Sequence, residues 1–383
     1  MLEGVNVALG VTGSIAAVKT VELAHELRRQ GAEVRAVMTE AAQGIIHPWA
    51  LEYATENDVV TEITGAVEHV ELCGRDGWAD LLLVAPTTAN TAGKMAAAID
   101  DSPVTTCATT AFGADVPIVV VPAMHEPMYD HPGVLDALDQ LESWGVDFVD
   151  PRIEEGKAKI ATENAIVTAA ARATGDQPLA GQTVVVTSGA TTESVDPIRT
   201  LSNRASGRTG RAVARACVTR GADTVLVHDG PDVPWAETVA VESAAEMLDA
   251  VLDRAPDADA LVSAAAISDY TVETASEKIR SGQELALDLE PTPKLLDTVR
   301  EHHPNLPMVG FKAETEGDND AIVSRARSLQ DRVGLAFVVG NNAGVMGADE
   351  TAALVVDGDN VTEVVGSKQE LGAAVADRLG DKR

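Results

Sequence analysis

Lysine is scarce in this chain. Only nine of its 383 residues are Lys, and the 29 basic residues face 60 acidic ones, for a formal charge of −31. That balance excludes a nucleic-acid backbone as the main partner, because phosphate would be repelled. The acidic residues are dispersed rather than gathered into a tail. A dispersed acidic surface poor in Lys fits a halophilic protein in a salt-rich cytoplasm, where screening removes self-repulsion; an ordinary acidic cytosolic protein is the alternative. Cysteine is nearly absent: Cys73, Cys107 and Cys217 are odd in number, lack C-x-x-C spacing and read as free thiols in a reducing compartment. No uninterrupted apolar run reaches membrane-spanning length. The apolar opening "MLEGVNVALG" has Glu3 where a signal peptide has basic residues, and suits a first strand better, so a cytoplasmic location is expected. Polar low-complexity tracts are missing too, and 45% hydrophobic content is ample for packed cores.

What is present is alternation. "VNVALGV", "EVRAVMT", "LLLVAP" and "VPIVVVPA" are strand-like runs separated by helical stretches such as "SIAAVKTVELAHELRRQG". Continuous apolar strands between helices indicate a parallel sheet covered on both faces. The segment "AARATGDQPLAGQ" reads as a linker, after which "TVVVTSG", "DTVLVHDG", "ADALVSAAA", "LAFVVGNN" and a final "TAALVVDG" continue the same alternation. The expected fold is therefore α/β, with two tandem doubly wound (Rossmann-like) domains over residues 1–174 and 175–383.

In the first half, "GVTGSIAAVK" sets Gly10, Gly13 and Ser14 where a strand turns into a helix, a geometry that leaves backbone N–H groups and a hydroxyl to hold a phosphate. The G-x-G-x-x-G of dinucleotide folds is missing, which favours a mononucleotide over NAD; a tight turn without ligand is the other reading. "APTTANTAGKMA" adds Thr87, Thr88 and Asn90 at the end of another strand. His69 lies four residues before Cys73 and reads as a base, a structural histidine or a metal ligand, although zinc needs more ligands and none is evident at suitable spacing. His125 follows a buried strand in "PAMHEPM", where it is a catalytic group, a ligand or a titrating loop residue.

Taken together, "GVTGSIAA", "HVEL…WAD", "APTTAN" and "PAMHEPM" resemble the flavin-dependent cysteine decarboxylases of the phosphopantothenoylcysteine decarboxylase family. The resemblance implies a flavoprotein-type sheet holding FMN, with Gly13, Ser14, Thr39, Thr87, Thr88 and Asn90 as FMN-binding positions and His69 assisting the redox step. It also implies that FMN takes hydride from the thiol-bearing carbon, making a thioaldehyde that lets carbon dioxide depart. The family motif P-x-M-N-x-x-M holds the substrate carboxylate with its Asn; His125 stands at that position here. The family's flexible segment carries a Cys that protonates the enethiol, but the matching "DPRIEEGKAKIATENAIV" has none. Lys157 or Lys159 then reads as the substitute acid, as a phosphate contact, or as a solvated lysine.

In the second half, "TSGATTESVDPIRTLSNRASGRTG" is similar to the signature of phosphopantothenate–cysteine ligases, G-x-T-x-E-x-x-D-P-V-R…S-N-x-S-S-G. "AAAISDY", "SEKIR", "VGFKAET" and "GNN" follow in the family's order. The resemblance implies that 4′-phosphopantothenate is activated by CTP, or ATP, to an acyl-nucleotide that the amine of L-cysteine opens. Mg²⁺ and lysine would neutralise the phosphate charge. It implies Asn203 at the acyl-nucleotide, Asp269 and Lys278 on the nucleotide and Phe311 near the base. Asp269 as a helix cap and Lys278 as a surface charge are the plainer readings. Trimeric decarboxylase halves and dimeric ligase halves in the family imply a homo-oligomer, a trimer or a dodecamer-type assembly. A bifunctional enzyme of coenzyme A biosynthesis is the expected function; a ligase with a vestigial flavin domain, or a non-catalytic flavin- or nucleotide-binding regulator, are the rivals.

Overall fold

The computed structural model describes residues 1–154, 156–282, 284–314, 318–342 and 350–382. The chain divides into two compact units, Met1–Gly175 and Asp176–Arg383. Among the described residues no helix is long and apolar enough to cross a membrane.

The first unit is built on five parallel strands, β1 (Asn6–Val11), β2 (Glu33–Met38), β3 (Leu81–Thr87), β4 (Ile118–Pro122) and β5 (Asp147–Phe148), in the order β2-β1-β3-β4-β5. Side chains alternate across a strand, so each strand feeds two cores. Val7, Leu9, Leu81 and Leu83 pack under the helices Thr20–Arg29, Pro48–Thr55 and Glu163–Thr174. Ala8, Leu82 and Val84 pack under Glu68–Cys73, Ala89–Ala96, Pro103–Ala114 and Pro132–Ser143. Each fully buried Leu or Val contributes about 2 kcal/mol, and this two-sided burial is why the strands read as unbroken apolar runs. The strand order reverses at β1/β3, where connections leave to opposite sides and a crevice opens at the carboxyl ends. Beside that edge a small antiparallel ribbon joins Met124–His125, Lys157–Lys159 and Arg152–Glu154.

The main sheet of the second unit has eight strands among the described residues: β6 (Thr183–Ser188), β7 (Asp223–His228), β8 (Glu237–Ala240), β9 (Ala260–Ser263), β10 (Met308–Glu314), β11 (Phe337–Asn342), β12 (Glu350–Asp357) and β13 (Asn360–Ser367). They run in the order β8-β7-β6-β9-β10-β11-β12-β13. The first six are parallel. The last two depart from the expected continuation: β12 is antiparallel to β11, and β13, unforeseen in the sequence, is antiparallel to β12. The cause is local. Only Gly358 and Asp359 separate β12 from β13, with Gly358 at φ +58°, and so short a link closes a hairpin but cannot carry a crossover.

The helix Arg208–Thr219 buries Val213, Ala214 and Cys217 against the central strands, beside Leu371 and Val375 of the helix Lys368–Gly380. Gly210 lies where that helix crosses β6: a Cβ there would stand 2.6 Å from the Cβ and 2.8 Å from the Cα of Ser188. Glycine in a helix normally costs about 1 kcal/mol relative to alanine. Gly210→Ala is nevertheless expected to destabilise the C-terminal unit by about 1–3 kcal/mol, because the overlap is with backbone and cannot be relieved by a rotamer change. Urea denaturation measures it; a gain in stability would mean that the helix has room to move.

Candidate active sites

Hydroxyl groups stitch the carboxyl edge of the first sheet together. Thr12, just past β1, is buried; its Oγ1 donates to Pro86 O (2.7 Å) and accepts from Thr88 N (3.2 Å), tying the β1 and β3 loops together. Ser14 Oγ donates to Ala123 O (3.0 Å) and caps the 3-10 turn Ile15–Lys19. Ala123 N in turn donates to Thr87 O (3.0 Å). Gly13 has no room for a side chain, since a Cβ would meet that of Ala41 at 2.5 Å; Ala41 sits in a short helix capped by Thr39, whose Oγ1 accepts from Ala42 N (3.2 Å). Thr88 caps the helix Ala89–Ala96 through Thr91 N (3.2 Å), and Asn90 is exposed in its first turn.

Two capped helix starts, at Ser14 and Thr88, therefore lie beside one another, and their positive ends fit an anionic phosphate. One expected contact is corrected. The Thr87 hydroxyl is buried and donates to Val84 O (2.7 Å), so that side chain faces the sheet and is not available to a ligand.

His69 rides on the helix Glu68–Cys73, entered through Val67 in the left-handed region at φ +58°. Its ring is half-buried, and Nδ1 is buried without a hydrogen-bond partner. An orphaned ring nitrogen fits a site completed by a bound group. Neighbouring Glu68 is held below the usual carboxyl range, chiefly by its hydrogen bond with the Thr64 hydroxyl and also by Thr64 N at 2.8 Å. Cys73 lies in the core beside Cys107, whose thiol is pushed up by the hydrogen bond with Cys73 and by burial.

His125 and Lys157 are both exposed and form a directly opposed pair in the antiparallel ribbon. Lys159 is ion-paired with Glu154 at 3.0 Å, and Glu154 also meets Arg152 at 2.8 Å.

In the second unit, buried acids organise the long signature. Glu193 accepts from Ala244 N (2.9 Å) and the Thr271 hydroxyl (2.7 Å). Asp196 is buried and accepts from Ile198 N (2.8 Å), Arg199 N (2.8 Å), Ile279 N (3.1 Å) and the Arg199 guanidinium (2.5 Å). Arg199 also donates to Ile279 O (2.9 Å), so the clasp grips both sides of the residue next to Lys278. Burial alone would raise the Asp196 carboxyl; the three N–H donors and Arg199 overcome it and hold the group at about 2. Asn203 Nδ2 donates to Ala266 O (2.6 Å) while its Oδ1 accepts from Ala205 N (3.0 Å).

A cleft opens over the start of the helix Arg208–Thr219, lined by Gly189, Ser206, Gly207, Phe311, Asn341 and Lys368 among others. Gly207 has φ +68°, and a Cβ on it would stand 2.8 Å from Gly189 Cα, so the two turns close on one another. Phe311 lines this cleft directly. Asn203 reaches it only through Ala266, which does line it. Asp269 and Lys278 lie on adjoining segments: Asp269 is exposed and paired with Lys294 Nζ at 2.5 Å, and Lys278 is exposed. Thr315, the last residue of "VGFKAET", lies outside the described residues.

Sequence reasoning missed Lys294, whose "PTPK" turn is carried to Asp269 by the ribbon Tyr270–Val272/Leu289–Pro291 and by Thr292 N donating to Asp269 O (3.0 Å). It matched "SGRTG" to the ligase signature but gave the helix start at Ser206–Gly210 no binding role.

The fold and its two carboxyl-edge sites define a tandem α/β protein of the flavoprotein class: residues 1–175 match the Flavoprotein family, and residues 179–382 the DNA/pantothenate metabolism flavoprotein C-terminal domain. The Coenzyme A biosynthesis bifunctional protein CoaBC of Thermococcus kodakarensis is 47% identical over 100% of this chain and 95% of its own length, and that of Methanocaldococcus jannaschii 34% identical over 99% and 94%. The chain belongs to this family of bifunctional coenzyme A biosynthesis proteins. Among solved structures, the DNA/pantothenate metabolism flavoprotein from Streptococcus pneumoniae covers 53% of this chain and 100% of that one at 22% identity, with a TM-score of 0.48. The FMN-dependent cysteine decarboxylase SpaF covers 44% and 99% at 30% identity, with a TM-score of 0.40.

The Asp196 clasp has a pH signature. Its carboxyl is depressed in the folded chain to about 2, so its stabilising effect is fully present above the unfolded value near 4 and is lost as pH falls from there toward 2. Asp196→Asn is expected to be less stable than the parent at pH 6, with the gap narrowing as pH drops from about 4 to about 2. Denaturant titrations across that range measure it; a gap independent of pH would mean that the carboxylate charge contributes nothing.

Proposed function

We propose that this chain makes 4′-phosphopantetheine in two steps, ligation in the C-terminal unit followed by decarboxylation in the N-terminal unit. The single observation that carries the reading is the match of both family descriptions, in order, along nearly the whole chain.

In the ligase unit, the carboxylate of 4′-phosphopantothenate attacks the α-phosphate of CTP or ATP and releases pyrophosphate. The amine of L-cysteine then displaces the nucleotide to form the amide. The glycine-rich helix start at Gly207 and the Lys278 ammonium would take the phosphate charge, with Phe311 against the base and Asn203 orienting the acyl-nucleotide. Mg²⁺ would arrive on the nucleotide phosphates, which suits an ion that keeps most of its water and needs few protein ligands. Asp269, tied to Lys294 before the nucleotide binds, would exchange that partner for the nucleotide or its ion.

In the flavin unit, the helix starts at Ser14 and Thr88, with Gly13, Thr39, Asn90 and the Thr87 backbone, would hold FMN. When bound, FMN accepts and returns the hydride that lets the cysteine carboxylate leave. His69 would hold or move a proton at the substrate sulfur, a role supported by its orphaned Nδ1. His125 would hydrogen-bond the departing carboxylate, with Lys157 at the same end of the site. The exposed apolar side chains of Ile15, Val18, Trp49 and Tyr53 support self-association, and the family resemblance is what implies a trimer or dodecamer-type assembly. The acidic surface supports a salt-rich cytoplasm.

Purified chain supplied with phosphopantothenate, cysteine, Mg²⁺ and either CTP or ATP is the direct test, with both intermediates followed over time. His69→Asn is expected to release pyrophosphate normally while phosphopantetheine formation falls about 100-fold or more; normal phosphopantetheine formation would overturn the role of His69. Asn203→Asp is expected to block ligation or to trap the acyl-nucleotide, and unimpaired amide formation would remove Asn203 from the site. Because the formal charge is −31, the melting temperature is expected to rise as KCl goes from about 0.1 to about 1 M, where the screening length shrinks from about 10 to about 3 Å. A flat or falling profile would contradict the salt-rich reading.

A further inference from the structure

Two positions depart from the decarboxylase pattern: His125 stands where an Asn is expected, and Lys157 lies in the segment that should carry a Cys. The structure makes them neighbours. Met124 pairs with Ala158 and His125 with Lys157 in one antiparallel ladder, so both side chains leave the same face, with Cβ atoms about 5 Å apart. The ribbon is anchored, since Glu126 N donates to Gly156 O (3.3 Å) and Ala158 is buried. It also starts at the flavin-type edge, because Ala123, the residue before Met124, is held by Ser14 and Thr87.

The charges are as informative as the register. Glu154 lies opposite Lys157 on the ribbon's other side but is committed to Lys159 and Arg152. The Glu126 carboxylate lies over Gly156, 3.6 Å from where a Cβ would be, yet makes no ion pair with Lys157. Among the described residues the His125 and Lys157 side chains have no hydrogen-bond or ion-pair partner. Two adjacent nitrogen groups left open in a protein with twice as many acids as bases are suited to receiving a carboxylate.

Resting on the decarboxylase reading above, we propose that His125 and Lys157 are one unit that grips the substrate's cysteine carboxylate, and that Lys157 is the acid that replaces the missing Cys. The two roles follow from one placement. Once the cysteine moiety is a thioaldehyde, the bond to the carboxylate breaks, carbon dioxide leaves, and the electron pair moves into a carbon–carbon double bond, with sulfur taking up the charge as an enethiolate. The Lys157 ammonium that faced the carboxylate now faces the carbon that carried it. It gives that carbon a proton; the double-bond pair forms the C–H bond, a sulfur pair restores C=S, and the exposed amine recovers a proton from solvent. Lys159, tied to Glu154, has neither task.

Arginine separates the two functions, because a guanidinium binds carboxylates but does not give up a proton. Ligand titrations on the full FMN-loaded chain would compare 4′-phosphopantothenoylserine, whose hydroxyl replaces the thiol, with its ethanolamine counterpart, which lacks the carboxylate. The parent is expected to favour the serine compound by about tenfold or more. Lys157→Met is expected to cut that preference to within about twofold with unchanged affinity for the ethanolamine compound, which also reports that the variant is folded. Lys157→Arg is expected to keep the preference yet accumulate the enethiol during turnover. Undiminished discrimination in Lys157→Met would overturn the grip, and parental phosphopantetheine formation by Lys157→Arg would overturn the proton transfer. Failure of the unmodified chain to form any phosphopantetheine would instead remove the decarboxylase reading itself.

Discussion

The buried carboxylate of Asp196 collects three backbone N–H groups and a guanidinium, and it closes the carboxyl edge of the second sheet. Beyond the ends of parallel strands no ladder remains to satisfy the backbone, yet this is where a doubly wound sheet must bind its ligands. Side chains have to supply the missing partners. Asp196 and Glu193 do so in the second unit, and Thr12, Ser14 and Thr88 do so in the first. The most polar residues of both motifs are therefore largely occupied with the backbone. The parts left for a ligand are helix starts, glycine turns and a few side chains carried on the braced segments, such as Lys278 beside Ile279.

Charge sharpens that division. Lys94, Lys159, Lys294, Lys312 and Lys382 each meet a carboxylate. Lys157, on the central strand of its ribbon, and Lys278, in a loop, are exposed and meet no carboxylate among the described residues, so both are open to an anionic ligand. The same acidic surface keeps adventitious anions away from both, which favours ligands that bring several polar contacts of their own.

Much of this was legible beforehand. Apolar runs such as Leu81–Val84 and Val184–Val186 announced strands buried on both faces, and the Gly13 turn announced a helix start. What escaped notice depends on pairing between residues distant in the chain. Nothing in "PAMHEPM" says that His125 will face Lys157, because register is set by the ribbon as a whole. The inward turn of the Thr87 hydroxyl follows from its burial at the end of β3, and a Thr at a strand end reads the same in sequence whichever way it points. Lys294 sits in no recognised motif and becomes visible only when the ribbon carries it to Asp269. The final hairpin was missed because "NVTEVVGS" alternates too weakly to stand out as an exposed edge strand.

On the reading above, one chain attaches cysteine and then removes its carboxylate. Cysteine labelled with ¹³C at the carboxyl carbon, supplied to the FMN-loaded chain with phosphopantothenate, Mg²⁺ and nucleotide, follows that carbon directly. The expected result is labelled carbon dioxide released in step with pyrophosphate, one for one, and none when nucleotide is withheld. Steady pyrophosphate release with all of the label retained in the amide product would contradict the account and leave the flavin unit without a catalytic role.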